Sequence, residues 1–143
     1  MRREVTLRIV LEKPLGGVEY GIQKGKGINY ETIQKQVPSS GDLTFEINVD
    51  VKFDEKNNPV FIGPFAQGPP QERFIYVDIG TSAGQKNTHW SRRLKIPLSG
   101  ISKNLIERAS TNSILITKVP GIGKDGGPNC ATVKPFDGWK PSD

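Results

Sequence analysis

The segment DLTFEINVDVKF (42–53) alternates without exception. Leu43, Phe45, Ile47, Val49, Val51 and Phe53 fall on one side of an extended chain, and Thr44, Glu46, Asn48, Asp50 and Lys52 fall on the other. Successive strand side chains point to opposite faces, so this pattern demands a strand with one dry and one wet surface. A strand face that is entirely apolar needs a second layer to cover it, which restricts the chain to packed sheets. VTLRIVL (5–11) repeats the pattern through Val5, Leu7, Ile9 and Leu11.

Shorter apolar runs mark further strands at 18–23, 30–37, 60–65, 73–79, 90–98, 114–119 and 131–134. Turn signals separate them at Gly16-Gly17, 24–27, 39–41, Asn57-Asn58-Pro59 and Gly68-Pro69-Pro70. The expected class is all-β, an antiparallel β-sandwich or barrel with one short helix. That helix starts at Ser102, a good N-cap, and sets Ile101, Leu105, Ile106 and Ala109 on one stripe that plugs an end of the sandwich. With 143 residues and no repeat or linker, the expected organisation is one domain over 1–143.

Composition supports this reading and excludes some functions. An apolar content of 34% is low, but 16 Gly and 11 Pro suit a small β protein with many turns. Cys130 is the lone cysteine, which excludes an intramolecular disulfide and any multi-cysteine zinc site. Arg8 and Glu12 interrupt what would be the apolar core of a signal peptide, and no run approaches a membrane span. The expected setting is cytoplasmic and soluble, with no membrane partner. A net charge of +5 biases the chain only weakly toward anions.

GPFAQGPP (63–70), RFIYVDIG (73–80), WSRRLKIPL (90–98) and DGGPNCATVKP (125–135) resemble an uncharacterised bacterial family, a domain of unknown function. The resemblance spans most of the chain and implies no chemistry that can be carried over.

Motifs that would carry chemistry are thin. Gly121, Gly123 and Gly126 have dinucleotide-loop spacing, but Gly127-Pro128 and an apolar run follow where a helix must open, so a surface loop is expected. Cys130 and His89 are the sole thiol–imidazole pair, and a dyad needs them within hydrogen-bond reach. A buried, unreactive cysteine is the competing expectation. A serine triad would need the same histidine, and no nucleophile elbow appears. Asp42, Asp50 and Asp54 suggest calcium at a sandwich edge, but Asp50 sits on the wet face of a regular strand as a solvated carboxylate. No catalytic residue, metal ligand set or cofactor is assigned.

The segments 73–79 and 90–98 form an expected hairpin around the loop 80–89. If Ile79 faces Trp90, then Val77 faces Arg92 and Ile75 faces Leu94. The opposite face carries Phe74, Tyr76, Asp78, Ser91, Arg93 and Lys95. Aromatic residues beside cations form a surface on which single-stranded nucleic-acid bases stack. A slip of one residue instead sets Tyr76 and Asp78 beside Arg92 and Trp90, and the sequence alone does not choose between them. Burial statistics favour a third arrangement, with Phe74 and Tyr76 in the core. In each register Arg92 shares the apolar face of Trp90 and Leu94 and must snorkel, pair with an acid or meet a ligand. Arg93 and Lys95 are expected to face water.

Non-catalytic binding of a small molecule or protein is therefore the leading expectation. A concave site near the loop 80–89 would use Gln85, His89, Trp90, Arg92, Arg93 and Tyr76 as ligand contacts. Single-stranded nucleic acid through Phe74, Tyr76, Arg93 and Lys95 is the first alternative, and a small enzyme using Cys130 and His89 the second. Phe136 and Trp139, flanking Asp137-Gly138, are expected to tie the tail onto the body.

Overall fold

The computed structural model describes residues 3–14, 18–26, 29–36, 41–70, 72–81, 89–109, 114–120, 130–132 and 138–141, with backbone alone at 26, 29–36, 81, 89–91, 109 and 130–132. Among the described residues, ten strands and one helix follow in the order β1 (Arg3–Glu12), β2 (Glu19–Lys26), β3 (Asn29–Gln36), β4 (Leu43–Phe53), β5 (Pro59–Ile62), β6 (Phe74–Thr81), β7 (His89–Pro97), α1 (Lys103–Ala109), β8 (Ile114–Pro120), β9 (Cys130–Thr132) and β10 (Lys140–Pro141). They build two five-stranded sheets, β10-β8-β1-β4-β5 and β3-β2-β6-β7-β9. The sheets are open and share one core, so the fold is an all-β sandwich and not a barrel.

The two alternating segments are the centre of the first sheet. β1 and β4 pair antiparallel, with Leu7 opposite Ile47 and Ile9 opposite Phe45. Their apolar faces are buried together with Leu115 and Val119 of β8 and Phe61 of β5. Tyr20, Ile22, Ile75, Val77, Ile79, Leu94 and Ile96 complete the core from the second sheet. On the wet face, Arg8 lies opposite Glu46 and pairs with it at 2.7 Å.

Two pairings depart from the antiparallel expectation, since β8 runs parallel to β1 and β9 parallel to β7. The segment after β7 contains α1 and carries the chain across to the first sheet. A crossover of this length lets a strand enter in either direction, and period two does not encode direction. The helix itself begins as expected: Ser102 Oγ accepts the Leu105 N–H at 3.2 Å, while Ile101 and Ile106 are buried.

A turn was expected at 24–27, but β2 continues to Lys26. There the Gly25 N–H donates to the Pro64 carbonyl at 2.9 Å. β2 pairs with β6 only from Glu19 to Ile22, and Gln67 exchanges backbone hydrogen bonds with Phe74 further along. The 63–67 segment thus occupies the place beside β6 that β2 leaves. The tail is tied down as expected at Trp139, which is buried and donates its indole N–H to the Pro97 carbonyl at 3.4 Å. Phe136 lies outside the described residues.

All four sheet edges are blunted. β9 and β10 are three and two residues long. On β3 the register jumps from Gln34 to Thr32, leaving Ile33 as a bulge. On β5, Pro59 offers no N–H and the Phe61 carbonyl is taken by Arg73 Nε at 2.9 Å. Such features discourage strand addition from another chain.

Candidate functional site

The β6–β7 hairpin forms, in a register two residues from the one that opposes Ile79 to Trp90. Val77 stands opposite Leu94, Asp78 opposite Arg93 and Tyr76 opposite Lys95. A shift of two preserves faces, so Phe74, Tyr76, Asp78, Arg93 and Lys95 do share the outer face, and the one-residue slip is excluded. Beyond Ile79 the register jumps, with Gly80 opposite Trp90 and Ser91 bulged. The backbone alternation is therefore interrupted between Arg92 and Trp90, and the Trp90 side chain lies outside the described residues.

The outer face is not a row of solvated groups. Asp78 is 1% exposed, although it lies on the side away from the core. Its Oδ1 accepts from Arg93 Nε at 2.8 Å and its Oδ2 from Gln23 Nε2. The Arg93 guanidinium also stacks 4.2 Å from the Tyr76 ring centre, and Lys95 Nζ sits 4.1 Å from that of Phe74. Phe74 and Tyr76 contact each other at 4.8 Å in a tilted arrangement. Arg93 and Lys95 thus lie on the outer face as expected, but half-buried and engaged by Asp78 and the two rings. A buried carboxylate requires a cation and hydrogen bonds, and Arg93 supplies both. Gln23 is the member that sequence reading missed; the bulge on β3 next to it gave no local signal.

Among the expected ligand contacts, Tyr76 and Arg93 therefore meet. Arg92 is half-buried on the opposite face, opposite Ile79, with no ion pair to another described residue. Gln85 and the side chains of His89 and Trp90 lie outside the described residues, as does the glycine-spaced loop 121–126. Cys130 pairs in register with Arg93, four residues along β7 from His89. Through the Ser91 bulge that offset matches three residues of β6, Asp78 to Thr81, or about 10 Å of strand, and the side chains of both residues lie outside the described ones. Asp42 and Asp54 flank the 11 residues of β4 and so lie at opposite ends of it. That separation removes the calcium grouping.

Among the described residues, a concave surface lies away from the loop 80–89. A groove of about 630 Å³ opens where the β4–β5 turn, Pro70 and Arg73, and the 98–104 segment converge. This is the Phe74–Pro97 end of the hairpin, opposite the end where the loop 80–89 begins. Pro59, Val60, Pro70 and Ile101 contribute apolar surface, and Asn57, Asn58, Ser99 and Asn104 are exposed on its walls. Asp54 shapes the turn: its Oδ1 accepts the backbone N–H groups of Lys56 at 2.9 Å and Asn58 at 2.8 Å. Asn57, at φ 64°, takes the left-handed conformation that asparagine tolerates better than most residues.

Residues 5–142 match the sequence model of a family of unknown function, DUF5990. The chain belongs to that family. The match spans the four stretches that carried the resemblance. No curated protein and no solved structure matches the chain. For this DUF5990 member the chemistry must therefore come from the geometry. Asn57-Asn58-Pro59 was legible as a turn, but its convergence with 98–104 is a tertiary feature that no local pattern encodes.

Proposed function

We propose that the protein is a non-catalytic binding module that takes a small ligand in the groove between the β4–β5 turn and the 98–104 segment. The groove carries this reading. Its volume of about 630 Å³ falls within the roughly 300–1,000 Å³ of small-molecule sites. It combines apolar walls with exposed amides and hydroxyls from two separate segments, the β4–β5 turn and 98–104. The blunted sheet edges favour a small ligand over an extended peptide that would add a strand. Stacking of nucleic-acid bases is disfavoured because the Phe74 and Tyr76 rings already pair with Lys95 and Arg93. The offset of Cys130 and His89 by about 10 Å of strand argues against catalysis by that pair. The single shared core supports one domain, and a lone cysteine suits a reducing, cytoplasmic setting.

A general fragment library, screened against the ¹⁵N-labelled chain by NMR, tests the reading. Hits should shift the amides of 54–61 and 98–104 together. Hits confined to the Tyr76–Arg93 face, or an absence of hits in the groove, would overturn it.

A further inference from the structure

The charged groups of the groove are already engaged within the protein, while most of its neutral side chains have no hydrogen-bond partner among the described residues. Asp54 accepts two backbone N–H groups of its own turn. Arg73 donates through Nε to the Phe61 carbonyl and through Nη1 to the Gly68 carbonyl. Lys103 Nζ lies 3.7 Å from Glu107 and 5.6 Å from the centre of the Phe53 ring. Two cations, Arg73 and Lys103, are thus balanced by Asp54 within the groove and by Glu107 beside it. An anionic ligand would compete with carbonyls for Arg73 and face Asp54, while a cationic one would meet Arg73 and Lys103. Neither gains a complementary field.

The groups left over are amides and hydroxyls. The side chains of Asn57, Asn58, Ser99 and Asn104 take no hydrogen bond among the described residues, and all are exposed on the lining. Ser102 Oγ accepts the Leu105 N–H, which leaves its own O–H free to donate. Each of these groups both donates and accepts. A ligand matching them must offer donors and acceptors at several positions without a net charge. The apolar surface of Pro59, Pro70 and Ile101 would meet the C–H faces of such a molecule.

We infer that the groove binds a neutral, hydroxyl-rich small molecule of the saccharide or polyol class, held by Asn57, Asn58, Ser99 and Asn104. This rests on the groove being the ligand site.

The test titrates the full ¹⁵N-labelled chain with a panel of neutral mono- and disaccharides and polyols, with glucuronate and glucosamine as charged counterparts. The amides of 54–61 and 98–104 should shift with at least one neutral compound and not with the charged counterparts. Asn58→Ala and Asn104→Ala should each weaken that binding about fivefold, the loss of one hydrogen bond, with the fold unchanged by near-ultraviolet circular dichroism. If Asn58→Ala perturbs the turn, Asn104→Ala supplies the same readout from the exposed face of α1. Groove shifts produced only by charged or aromatic compounds would overturn the ligand class and leave the groove standing as the site. An absence of groove shifts with this panel and with the general fragment library would overturn both.

Discussion

Arg93 Nε donates to Asp78 Oδ1 across 2.8 Å, from a strand position where period two would place a solvated cation. Asp78 is buried and the Arg93 side chain is 30% exposed, so the pair is one-sided: the acid depends on the arginine more than the reverse. Removing the cation leaves a desolvated carboxylate with one amide partner.

Arg93→Ala should therefore cost about 2–3 kcal/mol, the penalty for stranding a buried charged acceptor, in denaturant melts. Arg92→Ala removes a half-buried stem with no ion pair to another described residue and should cost about 1 kcal/mol or less. A double-mutant cycle between Arg93→Ala and Asp78→Ala should show strong non-additivity. Equal losses for the two arginines would mean that Asp78 is not held as the geometry indicates.

Gly68 tests the covering of the outer face. Its φ is +87°, and a side chain there would drive Cβ into the Phe74 ring. Gly68→Ala should cost about 2–4 kcal/mol, the sum of a left-handed backbone penalty and overpacking. Gly41 has φ +73° with open space around it, so Gly41→Ala isolates the backbone part at about 1–2 kcal/mol. Thermal melts of both variants give the difference, and equal shifts would remove the steric argument.

The contrast between these residues and β4 explains how much could be read in advance. In β4 each side chain reports its own environment, and Leu43 to Val51 alternate in the structure as in the sequence. Period two places Phe74, Tyr76, Arg93 and Lys95 on one face, but whether that face is wet depends on Gln67 and Gly68 lying over Phe74. No residue of β6 or β7 announces that neighbour. Bulges at Ile33 and Ser91 were equally silent, because an extra residue in a strand is defined by the partner strand's register. The groove is more remote still, since the residues that line it come from three separate stretches of the chain.

Trp139 should anchor the C-terminal strand. It is buried in the shared core, while the Gly138 carbonyl next to it accepts from Thr117 Oγ1 at 2.8 Å. Trp139→Ala should cost about 3–5 kcal/mol as a large core truncation. β10 pairs with β8 at only two positions, so it should then become susceptible to limited proteolysis. An intact tail under protease with unchanged melting would show that β10 holds without its anchor.

The last prediction separates the aromatic face from a nucleic-acid platform. A base stacks on a ring only if that ring presents a free face in a basic channel. Here Lys95 lies over Phe74 and Arg93 over Tyr76, and Phe74 is buried under the segment carrying Gly68. Arg93 is further committed to Asp78, so its charge is matched before any phosphate arrives. A labelled oligothymidine should therefore show no saturable binding by fluorescence anisotropy at low salt, where counterion release would favour it most. Tyr76→Ala should leave that flat response unchanged. Binding that falls steeply with added salt and is lost in Tyr76→Ala would show that the cations leave the rings for phosphate, and that the outer face of β6 and β7 works by exchange of partners.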